Sequence, residues 1–136
     1  MSEPQRILEI LLEKDHFTRW LGLEIEAHGP GYCRLRYQVR EEMTNGFGVV
    51  HGGIVFSAAD SAFAFACNAY GQVTVALEVS INFTRPVSVG DRLWVEAREI
   101  YLGRKTGVYD IRTTNERGEL VALFKGTAYR TSKEIG

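Results

Sequence analysis

Residues 51–60 read HGGIVFSAAD, a histidine and two glycines followed by small apolar residues and one aspartate. The length and alanine content of Ile54 through Tyr70 favour a helix at this point. Gly53 and Asp60 would lie roughly 10 Å apart along it and on about one face, because seven residues make nearly two turns. A helix start presents unpaired N–H groups, and glycines let a ligand approach that backbone. The pattern is typical of a site that stabilises an anion or an oxyanion.

Asp60 is the one acid in this otherwise apolar segment. A buried carboxylate without a partner is costly, so the acid is expected to be paired, exposed or functional. Ser57 and Ser61 flank it and offer hydrogen bonds, which keeps a structural explanation open. His51 is equally compatible with a helix cap, and Gly52-Gly53 with a tight turn into the helix.

Alternating apolar and polar residues on both sides of this helix predict strands. A first helix, capped by Ser2 and opened by Pro4, precedes a hairpin with strands at 23–27 and 33–39. After the central helix the alternation returns in four segments, at 73–84, 93–101, 106–113 and 120–129.

A helix that is apolar nearly all round needs a large curved surface to cover it. One antiparallel sheet wrapped around the helix is the economical solution. The sequence therefore predicts an α+β fold, with about six antiparallel strands around one long central helix and an extra N-terminal helix. A chain of 136 residues is the size of one domain, expected to span residues 1–136.

Composition excludes several classes of function. The net charge is −1 and the basic residues are scattered, which argues against binding to nucleic acid. Cys33 and Cys67 lie far apart, outside any CxxC motif and without a nearby His, so reduced thiols are expected rather than a metal site. The N-terminal segment MSEPQRILEILLEKD is too charged for a signal peptide, and no apolar run reaches the ~18 residues of a membrane helix. We expect a cytoplasmic protein that does not enter a membrane.

A longer set of motifs resembles one known family. The segment NGFGVVHGG (45–53), followed by SAADSAF (57–63), is similar to the hotdog-fold acyl-CoA thioesterases of the phenylacetate-degradation (PaaI) type. The likeness extends to NFTRP (82–86), KTGVYD (105–110) and VALF (121–124). HGG alone would be a weak signal, whereas this ordered combination is specific. The resemblance implies a sheet wrapped around one helix, as the periodicity does.

The resemblance also implies roles for individual residues. It places the acid that attacks the thioester, or activates water, at Asp60, and it assigns the oxyanion-binding backbone N–H to Gly53. Asn45 and His51 match the family's polar residues near the carbonyl and the water, and are expected to position them. Neither a metal nor a cofactor is required, since CoA is part of the substrate.

The spacing of Gly53 and Asp60 bears on assembly. A thioester carbon must lie within ~3.5 Å of its attacker and its oxygen ~3 Å from the donor, and these two groups of one helix are too far apart for that. We therefore expect a composite site, with the Gly53 N–H from one subunit and Asp60 from its neighbour. The resemblance implies the same shared site in a homodimer, commonly paired into a homotetramer as a dimer of dimers.

The sequence indicates the substrate less directly than it indicates the reaction. Phosphates of CoA need cations, and Arg85, Arg104 and Lys105 are candidates, although each is equally compatible with a solvated turn charge. The resemblance implies (hydroxy)phenylacetyl-CoA, or a related aromatic or medium-chain acyl-CoA, in phenylacetate catabolism. The acyl pocket cannot be read, because its lining residues also pack the core.

Two alternatives use the same fold. A hotdog dehydratase acting on hydroxyacyl thioesters also places a histidine and an acid around a helix start. A non-catalytic acyl-CoA-binding protein would bind the ligand without turnover. A regulator of that kind needs a DNA-binding segment, which the short N-terminal helix does not offer.

Overall fold

A computed structural model describes residues 2–136. Its helices are α1 (Glu3–Glu13), α2 (His16–Leu21) and α3 (Gly52–Asn68), with a short 3₁₀ helix at Glu41–Met43. Its strands are β1 (Glu24–Gly29), β2 (Tyr32–Gln38), β3 (Gln72–Phe83), β4 (Arg92–Leu102), β5 (Thr106–Thr114) and β6 (Leu120–Glu134). They form one antiparallel sheet in the order β1-β2-β4-β5-β6-β3.

This arrangement confirms the predicted α+β architecture. Six strands pack against α3, and α1 is the additional N-terminal helix. Its cap is also as predicted: the Ser2 hydroxyl accepts a bond from the Gln5 N–H at 3.3 Å, and the Gln5 side chain accepts the Ser2 N–H at 2.9 Å.

Sequence reasoning missed α2 and the 3₁₀ helix because both are too short to show a period. A local signal for α2 was nevertheless present. The Asp15 carboxylate accepts the Thr18 N–H at 3.0 Å, and Gly22 ends the helix with φ of 72°.

Helix α3 lies unusually close to β6. An added Cβ at Gly126 would lie 2.8 Å from the ring of Phe63, so only glycine leaves room for that ring. The Phe63 ring also packs against Tyr109 at 5.5 Å and Phe124 at 5.9 Å between ring centroids. This contact sets the distance between the helix and the sheet.

Buried polar side chains tie the end of α3 to the sheet. Asn68 donates to the Thr74 carbonyl at 3.1 Å and accepts the Thr74 N–H at 2.8 Å, which joins the helix to β3. The Glu99 carboxylate accepts the hydroxyls of Tyr70 and Tyr109, each at 2.9 Å. These hydrogen bonds fix the C-terminal end of α3 relative to the edge strand β3 and to the central strands β4 and β5.

Helix α3 is apolar nearly all round, as predicted, but the sheet of one chain does not cover all of it. One stripe of the helix is left partly open by the rest of residues 2–136, and we call it the open stripe: Gly53, Phe56, Ser57, Asp60, Ser61 and Ala64. The helix also starts at Gly52 and ends at Asn68, two residues earlier at each end than predicted. The six strands of one chain curl around only part of the helix, a limit that apolar composition does not reveal.

The two edges of the sheet differ in character. The outer strand β1 has six residues and the exposed charges Glu24 and Glu26. The other edge, β3, has twelve residues and exposes Val75, Leu77 and Phe83. A long apolar edge is a template for pairing with another strand, whereas a short charged edge discourages it.

Candidate active site

His51 caps α3, so the structural role left open by the sequence is present. Its Nδ1 accepts the Gly53 N–H at 2.9 Å. A neutral imidazole that accepts at Nδ1 carries its proton on Nε2. The N–H expected to bind the thioester oxygen is therefore already bonded within the isolated chain, and a substrate oxygen would have to displace the imidazole.

Asp60 lies midway along the open stripe, half-buried and without a charged partner. Burial raises the pKa of its carboxyl, and no hydrogen bond or ion pair within residues 2–136 opposes that shift. The flanking Ser57 and Ser61 make no hydrogen bond to it, so they do not supply the structural explanation that the sequence allowed. The carboxylate remains available to an external group.

Asn45 organises the loop that leads into α3. Its Oδ1 accepts the N–H groups of Phe47 at 2.9 Å and Val49 at 3.2 Å. The loop is closed by the bond from the Asn45 N–H to the Val49 carbonyl at 2.7 Å, and Gly48 takes the required positive φ of 76°. Because Oδ1 is fully used, the Asn45 amide is held with its Nδ2 as the donor left for a ligand.

The four predicted residues are not brought together by one chain. His51 and Gly53 are hydrogen-bonded to each other, and the loop of Asn45 is joined to them through the His51 N–H, which donates to the Met43 carbonyl at 2.9 Å. Asp60 lies roughly 10 Å farther along the helix, which is beyond the reach of a single thioester carbonyl.

The three candidate cations lie at opposite ends of the sheet. Arg85 follows the end of β3 and forms an ion pair with Glu119 at 3.0 Å. The turn of Arg104 and Lys105 lies beside the other end of β3. The Lys105 carbonyl accepts the backbone N–H of Arg130, and Arg130 pairs with Thr74 of β3. Those ends are about 30 Å apart, so one chain does not gather the cations around one phosphate group.

Arg130 holds this turn and was missed by sequence reasoning. Its Nη1 donates to the Gly103 carbonyl at 3.0 Å, and its backbone N–H donates to the Lys105 carbonyl at 2.7 Å. The guanidinium also lies over the Tyr70 ring, 5.2 Å from the ring centroid. No sequence signal separates Arg130 from the other charged residues of a strand.

The cysteines are not nucleophiles in this environment. Burial raises the pKa of both Cys33 and Cys67 to about 12, so the reactive thiolate is scarce at neutral pH. Within residues 2–136 no three His, Cys, Asp or Glu side chains cluster as metal ligands would. In that range, no helix is long and apolar enough to cross a membrane.

Known proteins are similar to this chain in sequence and in fold. A family model described as the thioesterase superfamily matches residues 47–122. The acyl-coenzyme A thioesterase PaaI of Escherichia coli K12 is 40% identical over 125 residues, covering 92% of this chain and 89% of that protein. The structure of the E. coli PaaI protein from the phenylacetic acid degradation operon matches with a TM-score of 0.94 at 36% identity, covering 98% of this chain and 97% of that one. A Streptococcus mutans protein solved with bound acetyl CoA matches with a TM-score of 0.78 at 28% identity, covering 82% of this chain and 90% of that one.

These similarities agree with the local geometry. The family match includes the loop of Asn45 from Phe47 onward, the whole of α3 and most of the sheet. The E. coli relative is similar along nearly the full chain, in sequence and in fold. The chain thus belongs to the thioesterase superfamily and is a hotdog-fold acyl-CoA thioesterase of the PaaI type.

Proposed function

We propose that Asp60 is the catalytic carboxylate and that the substrate is an aromatic or medium-chain acyl-CoA. The supporting observation is a half-buried carboxylate without a partner on the open stripe of α3. It attacks the thioester carbonyl carbon to form an anhydride that water then hydrolyses, or it takes a proton from a water that attacks the same carbon. In either route the C–S bond breaks, CoA leaves as a thiolate that takes up a proton, and the acyl group leaves as the free acid.

The oxyanion is stabilised by donors from the start of α3. The Gly53 N–H becomes available when the thioester oxygen replaces His51 Nδ1 as its acceptor, since the exposed imidazole is free to rotate. The Asn45 Nδ2 is the second donor, because its amide orientation is set by the two bonds to Oδ1. Fixed donors of this kind stabilise negative charge without reorganising during the reaction.

The complete site contains two subunits. We place the Gly53 N–H of one chain against Asp60 of the partner subunit, because one helix cannot bring both to the same carbonyl. The apolar edge of β3 supports antiparallel pairing with a second β3 about a two-fold axis. Helix α3 is tied to β3 through Asn68 and touches it through Gly52, so the same axis brings the two open stripes together.

The same two-fold axis offers a site for CoA. Antiparallel pairing of β3 places Arg85 of one chain toward the Arg104–Lys105 turn of the other. Arg85 lies far from the Arg104–Lys105 turn of its own chain but would lie near that turn of the partner subunit. A dimer of such dimers would be the homotetramer expected from the sequence.

The acyl group is assigned by analogy. The E. coli structure is described as coming from a phenylacetic acid degradation operon. That relationship supports (hydroxy)phenylacetyl-CoA as the first substrate to test, in phenylacetate catabolism.

The decisive experiment compares thiol release by the wild type and Asp60→Asn on aromatic and aliphatic acyl-CoAs. A loss of ~10³-fold or more in kcat is expected. Because burial raises the pKa of Asp60, wild-type kcat/KM should fall on acidification at a higher pH than for an exposed aspartate. Retention of the rate by Asp60→Asn would remove Asp60 from the chemical step.

Two controls test whether Asp60→Asn acts by unfolding the protein or merely by removing a negative charge. A carboxyl whose pKa is higher in the folded than in the unfolded chain destabilises the fold at neutral pH, where it is ionised. Asp60→Asn should therefore melt no lower than the wild type. Asp110→Asn removes an acid that is instead ion-paired with Arg112 at 3.1 Å, and should keep full activity. Hydration of an enoyl-CoA without thiol release would favour the dehydratase alternative.

A further inference from the structure

Phe47 is an aromatic residue with almost no contact surface in its own chain. It is 93% exposed, whereas Ile100, another strongly exposed apolar side chain, is 62% exposed. A single exposed apolar residue is ordinary, but a nearly complete aromatic exposure leaves the full hydrophobic gain of burial unused. Its position at the tip of the loop before α3 makes it a candidate for contact with a ligand.

The loop itself does not require an aromatic residue. The turn between β5 and β6 has the same geometry: Asn115 Oδ1 accepts the N–H groups of Arg117 and Glu119, each at 3.0 Å. Gly118 has the same φ of 76° as Gly48. Arg117 therefore occupies the position equivalent to Phe47 and lies in solvent. The identical backbone accepts a charged side chain there, so loop stability does not explain the phenylalanine.

The loop presents Phe47 in a fixed position. Two bonds to Asn45 Oδ1, the Gly48 N–H bond to the Asn45 carbonyl at 3.0 Å and the bridge between Thr44 and Val50 close it at its base. The backbone of such a loop loses little conformational freedom on binding, which favours its use in recognition.

In the proposed two-subunit site, the chain that carries Asp60 supplies apolar side chains on one face of the acyl pocket only. The open stripe offers Phe56 and Ala64 on either side of Asp60, which form one face of an acyl pocket. The opposite face must come from the chain that donates the Gly53 N–H. Phe47 is six residues before Gly53, on the loop whose Asn45 amide is directed to the same carbonyl.

We propose that Phe47 determines acyl-group specificity, covering the acyl chain held over Asp60 of the partner subunit. This inference rests on the proposed function and on its two-subunit site. An aromatic ring or a medium-length chain presents area for Phe47 to cover, whereas an acetyl group ends before reaching it. Phe47 thus selects aromatic and medium-chain acyl-CoAs over short ones.

The test is the ratio of kcat/KM for phenylacetyl-CoA to that for acetyl-CoA in the wild type and Phe47→Ala. We expect the ratio to fall about 10-fold or more, chiefly through phenylacetyl-CoA, because a lost apolar pocket contact is worth roughly 10- to 200-fold. Ile100→Ala removes another exposed apolar side chain, from β4, and should leave the ratio within about twofold. Melting temperature and light scattering verify that each variant folds and assembles as the wild type does.

The outcomes separate this inference from the proposed function. If the wild type is active and Phe47→Ala has the same ratio of kcat/KM values, the role of Phe47 is overturned but the proposed function is not. An equal loss of kcat/KM on both substrates has the same meaning. A wild type that releases thiol from no acyl-CoA overturns the proposed function as well. If Phe47→Ala does not assemble, Phe47→Trp is used, and a shift of preference toward shorter acyl groups is expected. An unaltered preference in an assembled Phe47→Trp also counts against the inference.

Discussion

Asn45 has an observed structural role in its loop and a proposed chemical role as an oxyanion donor. Its Oδ1 is committed to the N–H groups of Phe47 and Val49, and Nδ2 has no partner within residues 2–136. Asn115 makes the same backbone bonds, but its Nδ2 donates to Glu119 at 3.0 Å. The unused donor, rather than the loop, is what distinguishes Asn45.

Asn45→Asp should separate these two functions. The carboxylate keeps an acceptor for both loop N–H groups, so the melting temperature should be nearly unchanged. It lacks the Nδ2 donor, and loss of one oxyanion donor costs about 10²–10³-fold in kcat. The measurement is steady-state thiol release.

Asn115→Asp is the control for activity, because it makes the same substitution in the same loop geometry away from the proposed site. It also replaces the bond from Nδ2 to Glu119 with a repulsion between carboxylates, so only kcat is compared. Its kcat should stay within about twofold of the wild type. If Asn45→Asp retains full activity, Asn45 acts only by shaping the loop.

At the scale of elements, the position of α3 depends on the absence of a side chain at Gly126. The Phe63 ring lies over that backbone, and a Cβ there would approach the ring to 2.8 Å. The helix carries Asp60 and Gly53, so this contact also sets where the proposed site lies above the sheet.

Gly126→Ala should destabilise the protein by about 1–3 kcal/mol, because overpacking forces the ring or the helix to shift. Denaturant unfolding followed by circular dichroism measures the change. Gly29→Ala is the matched control, since a Cβ there meets nothing within 4 Å and should change stability by less than about 0.5 kcal/mol. Equal stability of the two variants would mean that Phe63 moves aside without cost.

At the scale of the whole molecule, the two sheet edges and the open stripe define the expected assembly. Glu78 is the one charged residue in β3, and Leu77 beside it is 59% exposed at a bulge. The opposite edge carries paired charges, with Arg34 bonded to Glu26 at 3.0 Å. Pairing through β3 buries apolar surface, whereas pairing through β1 would desolvate charges.

Leu77→Lys should convert the oligomer to monomers, because it places a charge at the centre of the paired edge. Activity should fall by about 100-fold or more, since the Gly53 N–H would no longer meet Asp60 of the partner subunit. Sedimentation and thiol release on the same samples test both effects. Ile100→Lys, away from this edge, should keep the dimer. A fully active Leu77→Lys monomer would contradict the composite site.

Much of the fold was readable because its signals are local. The period of two in the strands, the alanines of α3 and the Ser2 cap each depend on residues close in the chain. The short helix α2 escaped because six residues show no period, and the boundaries of α3 shifted because His51, not the glycines, caps it. The candidate acid and its loop were predicted by their motif, while Arg130 and Phe47 were not.

The sequence by itself determined the order of the six strands and the two long helices, the acid placed within an apolar helix and the family to which the chain belongs. Only the tertiary structure decided which stripe of α3 stays open, which strand forms the apolar edge and where the candidate cations lie. It also revealed that the Gly53 N–H is bonded to His51 and that the Asn45 donor is unused. The open stripe, the apolar edge and the placement of the cations depend on strand order and on contacts between residues far apart in the chain, whereas the bonds of His51 and Asn45 are local but depend on side-chain geometry; periodicity and spacing encode neither.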